Sequence, residues 1–338
     1  MSLKMLQRVT TFAIPLAICV VMLGAYTRLT DAGLGCPDWP GCYGHMVLPS
    51  LQSKMADIAQ QFPGAPIESH KAWTEMVHRY AAGTLALLIF FIGFSALRYR
   101  FKHPSEKRLF KLPLILVGLV VFQALLGMWT VTLKLLPIVV MGHLLGGVLI
   151  FASLYYFRMQ LSSVVGEDMP RWHNLINIGI FLVFFQIVLG AWVSSNYAGI
   201  ACIGFPKCNG QWIPPLHFSP ELYLFSSNGM SYQGGILDND ARVTIQFIHR
   251  IGAMVVFCYV TLLSLFILFF SKKKQMQINA MIALFLVMMQ FALGIANVVY
   301  LLPLWVAVMH NGMAALLLTS MLGFYYLSHG GGVNARRS

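Results

Sequence analysis

Eight apolar runs, each close to the roughly 20 residues that a helix needs to cross a bilayer, dictate what this 338-residue chain can become. They cover residues 10–28, 80–97, 112–130, 138–157, 175–195, 243–270, 278–299 and 304–327. Inside a bilayer the backbone N–H and C=O groups find no water, so runs of this kind close their hydrogen bonds internally as helices. The chain is 58% hydrophobic and only 10% charged, far from the mixture a soluble domain carries. The sequence predicts an all-α membrane protein with eight transmembrane helices. The first run follows only Lys4 and Arg8 and is not closed by a small-residue cleavage site, so it reads as a retained helix.

The charges set an orientation. With the N-terminus in the cytoplasm, the inner segments hold Lys4, Arg8, Arg98, Arg100, Lys102, Lys107, Arg108, Lys111, Arg158, Arg171, Lys272, Lys273, Lys274, Arg336 and Arg337, which is fifteen of the 23 bases. Only Glu106, Glu167 and Asp168 oppose them there, so the entire formal charge of +12 falls on one side. That is the asymmetry of cytoplasmic loops. It predicts a multi-pass protein of the bacterial inner membrane with both termini cytoplasmic, and its basic pI needs no nucleic acid to explain it. Cys36, Cys42, Cys202 and Cys208 then fall in outer loops, where disulfides persist. Cys19 and Cys258 lie within helices and read as small core residues.

The chain repeats itself. Gly24-Ala25-Tyr26 returns as Gly190-Ala191-Trp192, Cys36 and Cys42 as Cys202 and Cys208, and Val77-His78-Arg79 as Ile248-His249-Arg250. Gln123 and Gly127 return as Gln290 and Gly294, and His143 as His310, all with an offset of 166 to 171 residues. Four helices separate the copies, an even number, so the repeat is parallel rather than inverted. The expected architecture is two tandem four-helix bundles, residues 1–165 and 166–338, with a hinge around 159–173 that contains Pro170.

Four histidines sit at repeat-equivalent places near the outer ends of helices: His78, His143, His249 and His310. Ionisable side chains inside a membrane usually mark function, and two pairs duplicated in register outweigh incidental interhelical hydrogen bonding. Two imidazoles with no carboxylate or thiolate to complete a tetrahedron make a poor structural zinc site. They suit the two axial positions of a haem iron, in the manner of cofactor sites built between bundle helices. No Cys-x-x-Cys-His stands in the chain, so covalent haem attachment is not expected. Small residues beside the ligands (Ala81, Ala82, Gly83, Gly146, Gly147, Gly252, Ala253, Gly312, Ala314 and Ala315) would admit either a flat macrocycle or a neighbouring helix. Arg79 and Arg250 suit haem propionates as well as they suit interface snorkelling.

The halves differ at one position. Glu75 lies three residues before His78, on the same helical face, and its counterpart before His249 is Gln246. One reading is a carboxylate placed for proton-coupled chemistry in the N-terminal half, with the C-terminal half storing or relaying electrons. The other is an exposed carboxylate in the first turn of a helix. Gln123, Gln186 and Gln290 each precede a glycine by four residues, with Val20 at that place in the first helix, and interhelical hydrogen bonding accounts for them. A disulfide in each outer loop would hold that loop over the pocket below; thiol exchange with a partner stays open.

The run Thr27-Arg28-Leu29-Thr30-Asp31-Ala32-Gly33-Leu34-Gly35-Cys36-Pro37-Asp38-Trp39-Pro40-Gly41-Cys42, the Glu75–His78–Arg79 segment and the three later histidines together resemble haem A synthase, of the bacterial type with a cysteine pair in both outer loops. The likeness covers nearly the whole chain. It implies an oxidoreductase that converts a methyl substituent of haem O to a formyl group, giving haem A. On that likeness His78 and His143 would hold the substrate porphyrin, and His249 and His310 a permanent haem b. Glu75 would be the catalytic carboxylate, Cys36 with Cys42 the functionally important pair, and Cys202 with Cys208 the second. The implied partners are the haem O-producing farnesyltransferase and terminal oxidase assembly, with a homo-oligomer left open and the electron donor or acceptor unnamed. Residues 209–242, with Pro214, Pro215 and His217, match no family motif with a role. Two rival classes explain the histidines alone: a di-haem cytochrome b of a quinol dehydrogenase, and a haem carrier.

Overall fold

The computed structural model describes residues 3–48, 55–63, 68–103, 108–164, 166–218 and 231–330. Glu106, Lys107, Arg336 and Arg337 of the charge pattern lie outside the described residues, as does the 219–230 part of the second long loop. The described residues form nine helices: α1 (Leu3–Leu29), α2 (Met55–Gln61), α3 (Ser69–Lys102), α4 (Arg108–Thr132), α5 (Pro137–Gln160), α6 (Pro170–Ser195), α7 (Asn239–Phe270), α8 (Lys274–Val299) and α9 (Leu304–Ser328). All but the seven-residue α2 are long and apolar enough to cross a membrane. Each predicted run thus becomes one helix.

Two helices are much longer than a bilayer crossing needs. α3 has 34 residues and α7 has 32, so each would measure roughly 50 Å at about 1.5 Å per residue, well beyond a hydrocarbon core of about 30 Å. Their first turns, before His78 and before His249, are polar and stand beside the cysteine loops. Asp238 starts α7 as an N-cap, its side chain accepting from Ala241 N at 2.7 Å. Three prolines fall where a missing N–H costs nothing: Pro137 and Pro170 open α5 and α6, and Pro303 precedes α9; Pro15 and Pro113 lie inside α1 and α4.

Helices α1, α3, α4 and α5 pack in a ring in that order, α5 closing on α1, and α6, α7, α8 and α9 make a second ring closed by α6 against α9. The rings join where α1 meets α9 and α5 meets α6 and α9. Buried side chains from both rings form one continuous core, from Leu6 and Phe151 to Trp172 and Phe324. Outward faces are as apolar as the interior, with Phe12 74%, Leu87 71% and Phe269 79% exposed, as lipid-facing helices require. Cys19 and Cys258 are on these faces, so the expectation that they belong to the core is corrected. In lipid both faces of a helix are apolar, and residue type alone does not tell them apart.

The duplication extends to backbone conformation. Left-handed φ values recur at Asp31 and Tyr197, at Tyr43 and Asn209, and at the α4–α5 and α8–α9 turns in Lys134-Leu135 and Leu301-Leu302. The connector expected as a hinge is pinned to the end of α9: Glu167 N donates to the Leu327 carbonyl at 2.9 Å and Met169 N to that of Ser328 at 2.8 Å.

Candidate haem centres

In each ring the histidines stand on diagonal corners. His78 on α3 faces His143 on α5, with ring centroids 6.3 Å apart and planes at 80°. His249 on α7 and His310 on α9 occupy the equivalent corners of the second ring and lie within electrostatic reach of each other. A metal-bound imidazole nitrogen lies about 2 Å from its metal. Two imidazoles on opposite sides of one metal therefore hold their nitrogens about 4 Å apart, and a ring radius at each end brings the centroids to roughly 6 Å. The first pair already has that spacing.

Each imidazole rests on a glycine of the preceding helix. A Cβ added at Gly24 would stand 3.1 Å from His78 Cε1, at Gly127 3.1 Å from His143 Cε1, at Gly190 3.2 Å from His249 Cε1, and at Gly294 3.3 Å from His310 Cε1. A side chain at any of these four places would require the ring to shift by a few tenths of an ångström. The Nδ1 atoms of His78, His143 and His310 are shut off from solvent without a hydrogen-bond partner. Buried polar atoms are rarely left so. Seated rings, orphaned nitrogens and the 6.3 Å spacing together fit a bis-imidazole haem in the centre of a ring.

The glutamines have defined partners that sequence reasoning did not assign. Gln123 Nε2 donates to the His143 carbonyl at 2.5 Å, Gln186 Nε2 to the His249 carbonyl at 2.9 Å, and Gln290 Nε2 lies 3.2 Å from His310 Nε2. The signal was present in the spacing: residues four apart share a helical face, so a glutamine four before a seating glycine points at the same histidine. Several small residues serve neighbours rather than a macrocycle. Gly146 and Gly252 make room for Gln123 and Gln186, and Gly312 for Met22 of the other ring.

Both cysteine pairs are disulfides, with Cα–Cα distances of 4.9 Å for Cys36–Cys42 and 5.0 Å for Cys202–Cys208, within the usual range. Each closes a loop that lies against the start of a histidine-bearing helix. Arg79 holds the first loop, donating to the carbonyls of Asp38 at 3.0 Å and Pro40 at 3.2 Å and to that of Gly41. Arg250 holds the second through the carbonyls of Gly204 at 2.8 Å and Lys207 at 3.4 Å and that of Cys202. The two arginines, read from the sequence as suited equally to haem propionates and to interface snorkelling, each hold a cysteine loop. Tyr43 fills the floor of the first loop, its hydroxyl donating to the Gly35 carbonyl at 3.1 Å. Burial pushes the Tyr43 phenol up from its ordinary range, so it stays a neutral donor.

Glu75 is 4% exposed, which removes the reading of it as a solvated carboxylate at a helix start. One oxygen accepts from Cys36 N at 2.8 Å and the other pairs with Arg79 at 2.6 Å. It stands one turn from His78 and directly beneath the disulfide. Gln246 is likewise buried, at 5% exposure, but its Oε1 has no partner. The asymmetry read from the sequence is thus an asymmetry between two interiors: an ion pair in one ring and a neutral amide in the other. His217, in the second long loop, donates its N–H to Thr244 Oγ1 at 2.9 Å and lies apart from either histidine pair.

Comparison with known proteins gives a consistent picture. Residues 7–322 match the COX15-CtaA family model, described as cytochrome oxidase assembly protein. The chain is 43% identical over 334 residues to the haem A synthase of Shewanella oneidensis, covering 97% of this chain and 98% of that protein. It is 27% identical over 340 residues to the haem A synthase of Neorickettsia sennetsu (93% and 98% covered) and 25% identical over 332 residues to that of Shouchella clausii (94% of each).

Proposed function

Because the chain belongs to the COX15-CtaA family of cytochrome oxidase assembly proteins, we propose that it makes haem A from haem O, oxidising a methyl substituent of the porphyrin to a formyl group. The likeness to haem A synthases along 97% of the chain supports this reading. The observation that carries it within the molecule is the difference between two otherwise matching histidine pairs: a carboxyl group paired with Arg79 beside one and an amide beside the other.

On this proposal His78 and His143 grip the substrate haem O in the N-terminal ring, residues 1–165. His249 and His310 would hold a resident haem b in the C-terminal ring, residues 166–338. When bound, haem b supplies a one-electron redox centre in the adjoining ring. The protein's own contributions are positional and electrostatic. With an imidazole on each side of the substrate iron, no position would be left for dioxygen. Oxidation would then proceed by stepwise electron withdrawal: converting the methyl to a formyl group takes its oxygen atom from water and releases four protons and four electrons, the electrons passing to a one-electron acceptor outside the site. Glu75, fixed by Cys36 N and Arg79, holds negative charge one turn from His78. It would stabilise positive charge as it develops on the reacting methyl carbon. The disulfide loop and its arginine clamp keep Glu75 in place and bulk water out.

The charge distribution supports placing both termini in the cytoplasm and the cysteine loops on the periplasmic side of the bacterial inner membrane. There the protein would take haem O from a farnesyltransferase and serve terminal oxidase assembly. Mass analysis of the haems that co-purify with the protein tests the reading. The expected result is haem b together with haem O, haem A or an oxidised intermediate. Unmodified haem b alone, from cells making haem O, would instead identify an electron-transfer cytochrome.

A further inference from the structure

The four histidine seats differ in a way that binding alone does not require. Three of the facing helices present a glutamine four residues before the seating glycine: Gln123, Gln186 and Gln290. At the fourth seat, that of His78, the position is Val20, which offers the imidazole only its backbone carbonyl. The contrast is sharpest between repeat-equivalent seats. Gln186 Nε2 donates to the His249 carbonyl at 2.9 Å, which lays its amide against the imidazole, 3.0 Å from Nδ1.

The opposing helix also differs between the repeat-equivalent seats of His78 and His249. The Oε1 atoms of Gln123 and Gln186 sit in notches left by Gly146 and Gly252, where an added Cβ would come within 2.1 and 2.2 Å of them. The residue that corresponds to Gly252, three beyond His78, is Ala81. It carries a methyl group where Gly252 has none. Valine with alanine at one seat stands against glutamine with glycine at its repeat-equivalent; at the His310 seat Gln290 is accompanied by Met313 instead.

Groups outside the coordination sphere fix the orientation of an imidazole ligand, and their loss typically costs about 10–100-fold in affinity. In the C-terminal ring both imidazoles have a glutamine side chain against the ring itself, at 3.0 and 3.2 Å. In the N-terminal ring only the His143 side has a glutamine. We propose that Val20 and Ala81 make His78 the releasable ligand, so that the N-terminal pair exchanges its porphyrin while the C-terminal pair retains one. This assigns Val20, Ala81, Gln186 and Gly252 as positioning residues that separate an exchanging site from a resident one. It rests on the bis-histidine reading of both sites.

The test transplants each solution into the other ring of the full-length protein, purified with its haems, using apomyoglobin in excess as haem acceptor. Release from each site is followed by loss of its low-spin bis-imidazole spectrum. In the unaltered protein the N-terminal haem should leave first. The double variant Val20→Gln with Ala81→Gly should slow that release about tenfold or more, and Gln186→Val with Gly252→Ala should speed release from the C-terminal site by about as much. Local damage loosens a haem, so slower release is an outcome that mere misfolding does not produce. Release from Val20→Gln/Ala81→Gly at the original rate or faster, with its bis-imidazole spectrum intact, overturns the proposal. Should that variant not accumulate, unchanged retention in Gln186→Val/Gly252→Ala overturns it equally. A protein that shows no bis-imidazole spectrum at either site before any substitution defeats the parent reading instead.

Discussion

Replacing Glu75 by glutamine is expected to leave both haems bound and to reduce haem A formation by at least about a hundredfold, the scale on which a positioned charge or proton-transfer group contributes. The molecule contains its own control for this substitution. Gln246 occupies the matching place in the C-terminal ring, buried to 5% exposure, and Arg250 still clamps its loop there through the carbonyls of Gly204 and Lys207. An amide at position 75 is therefore compatible with the loop arrangement: Arg79 loses its ion pair but keeps the Asp38 and Pro40 carbonyls. What disappears is negative charge next to the substrate. Haem analysis of membranes carrying the variant should show haem O accumulating on the protein. Haem A formation at the original rate would remove Glu75 from the chemistry and leave it as a strut beneath the disulfide.

The second large effect concerns the haem proposed for the C-terminal ring. His249→Leu or His310→Leu should each empty the C-terminal ring, lowering haem content by half while the N-terminal pair keeps its bis-imidazole spectrum. Among the described residues no group of three or more His, Cys, Asp or Glu side chains is placed to hold a metal. Leucine fills part of the imidazole volume without offering a donor, which keeps the packing cost small relative to the loss of an axial bond. Pyridine haemochrome measurement against protein concentration reads the result. A full complement of haem with a normal bis-imidazole spectrum at that site would refute the assignment of those two ligands.

Much of this was legible in the sequence because a bilayer forbids ambiguity. A run of apolar residues at that depth has to be a helix, so eight runs became eight spanning helices, and the duplicated histidines fell on opposed corners of two rings. Positions that depend on tertiary approach were less legible. Arg79 carries the same sequence signal whether it faces a propionate, lipid headgroups or a loop some forty residues upstream. Only the fold of that loop, with carbonyls turned toward the helix, decides it. The full length of α3 and α7 was hidden because their first turns are polar and lie outside the apolar runs. Cys19 and Cys258 misled for the converse reason, since an apolar setting identifies depth in the membrane and not direction. The glutamines were visible but undervalued: each was read by itself as an interhelical bond. Taken with the glycine four residues on, they would have pointed to the histidines.

The central claim is physical, that two pairs of imidazoles from diagonal helices each hold one iron porphyrin. Low-temperature electron paramagnetic resonance of the oxidised protein, purified with its haems, tests it most directly. Two low-spin ferric signals of the bis-imidazole type are predicted, one lost in His78→Leu and the other in His249→Leu. A high-spin iron at either site, or low-spin signals that survive those substitutions, would contradict it.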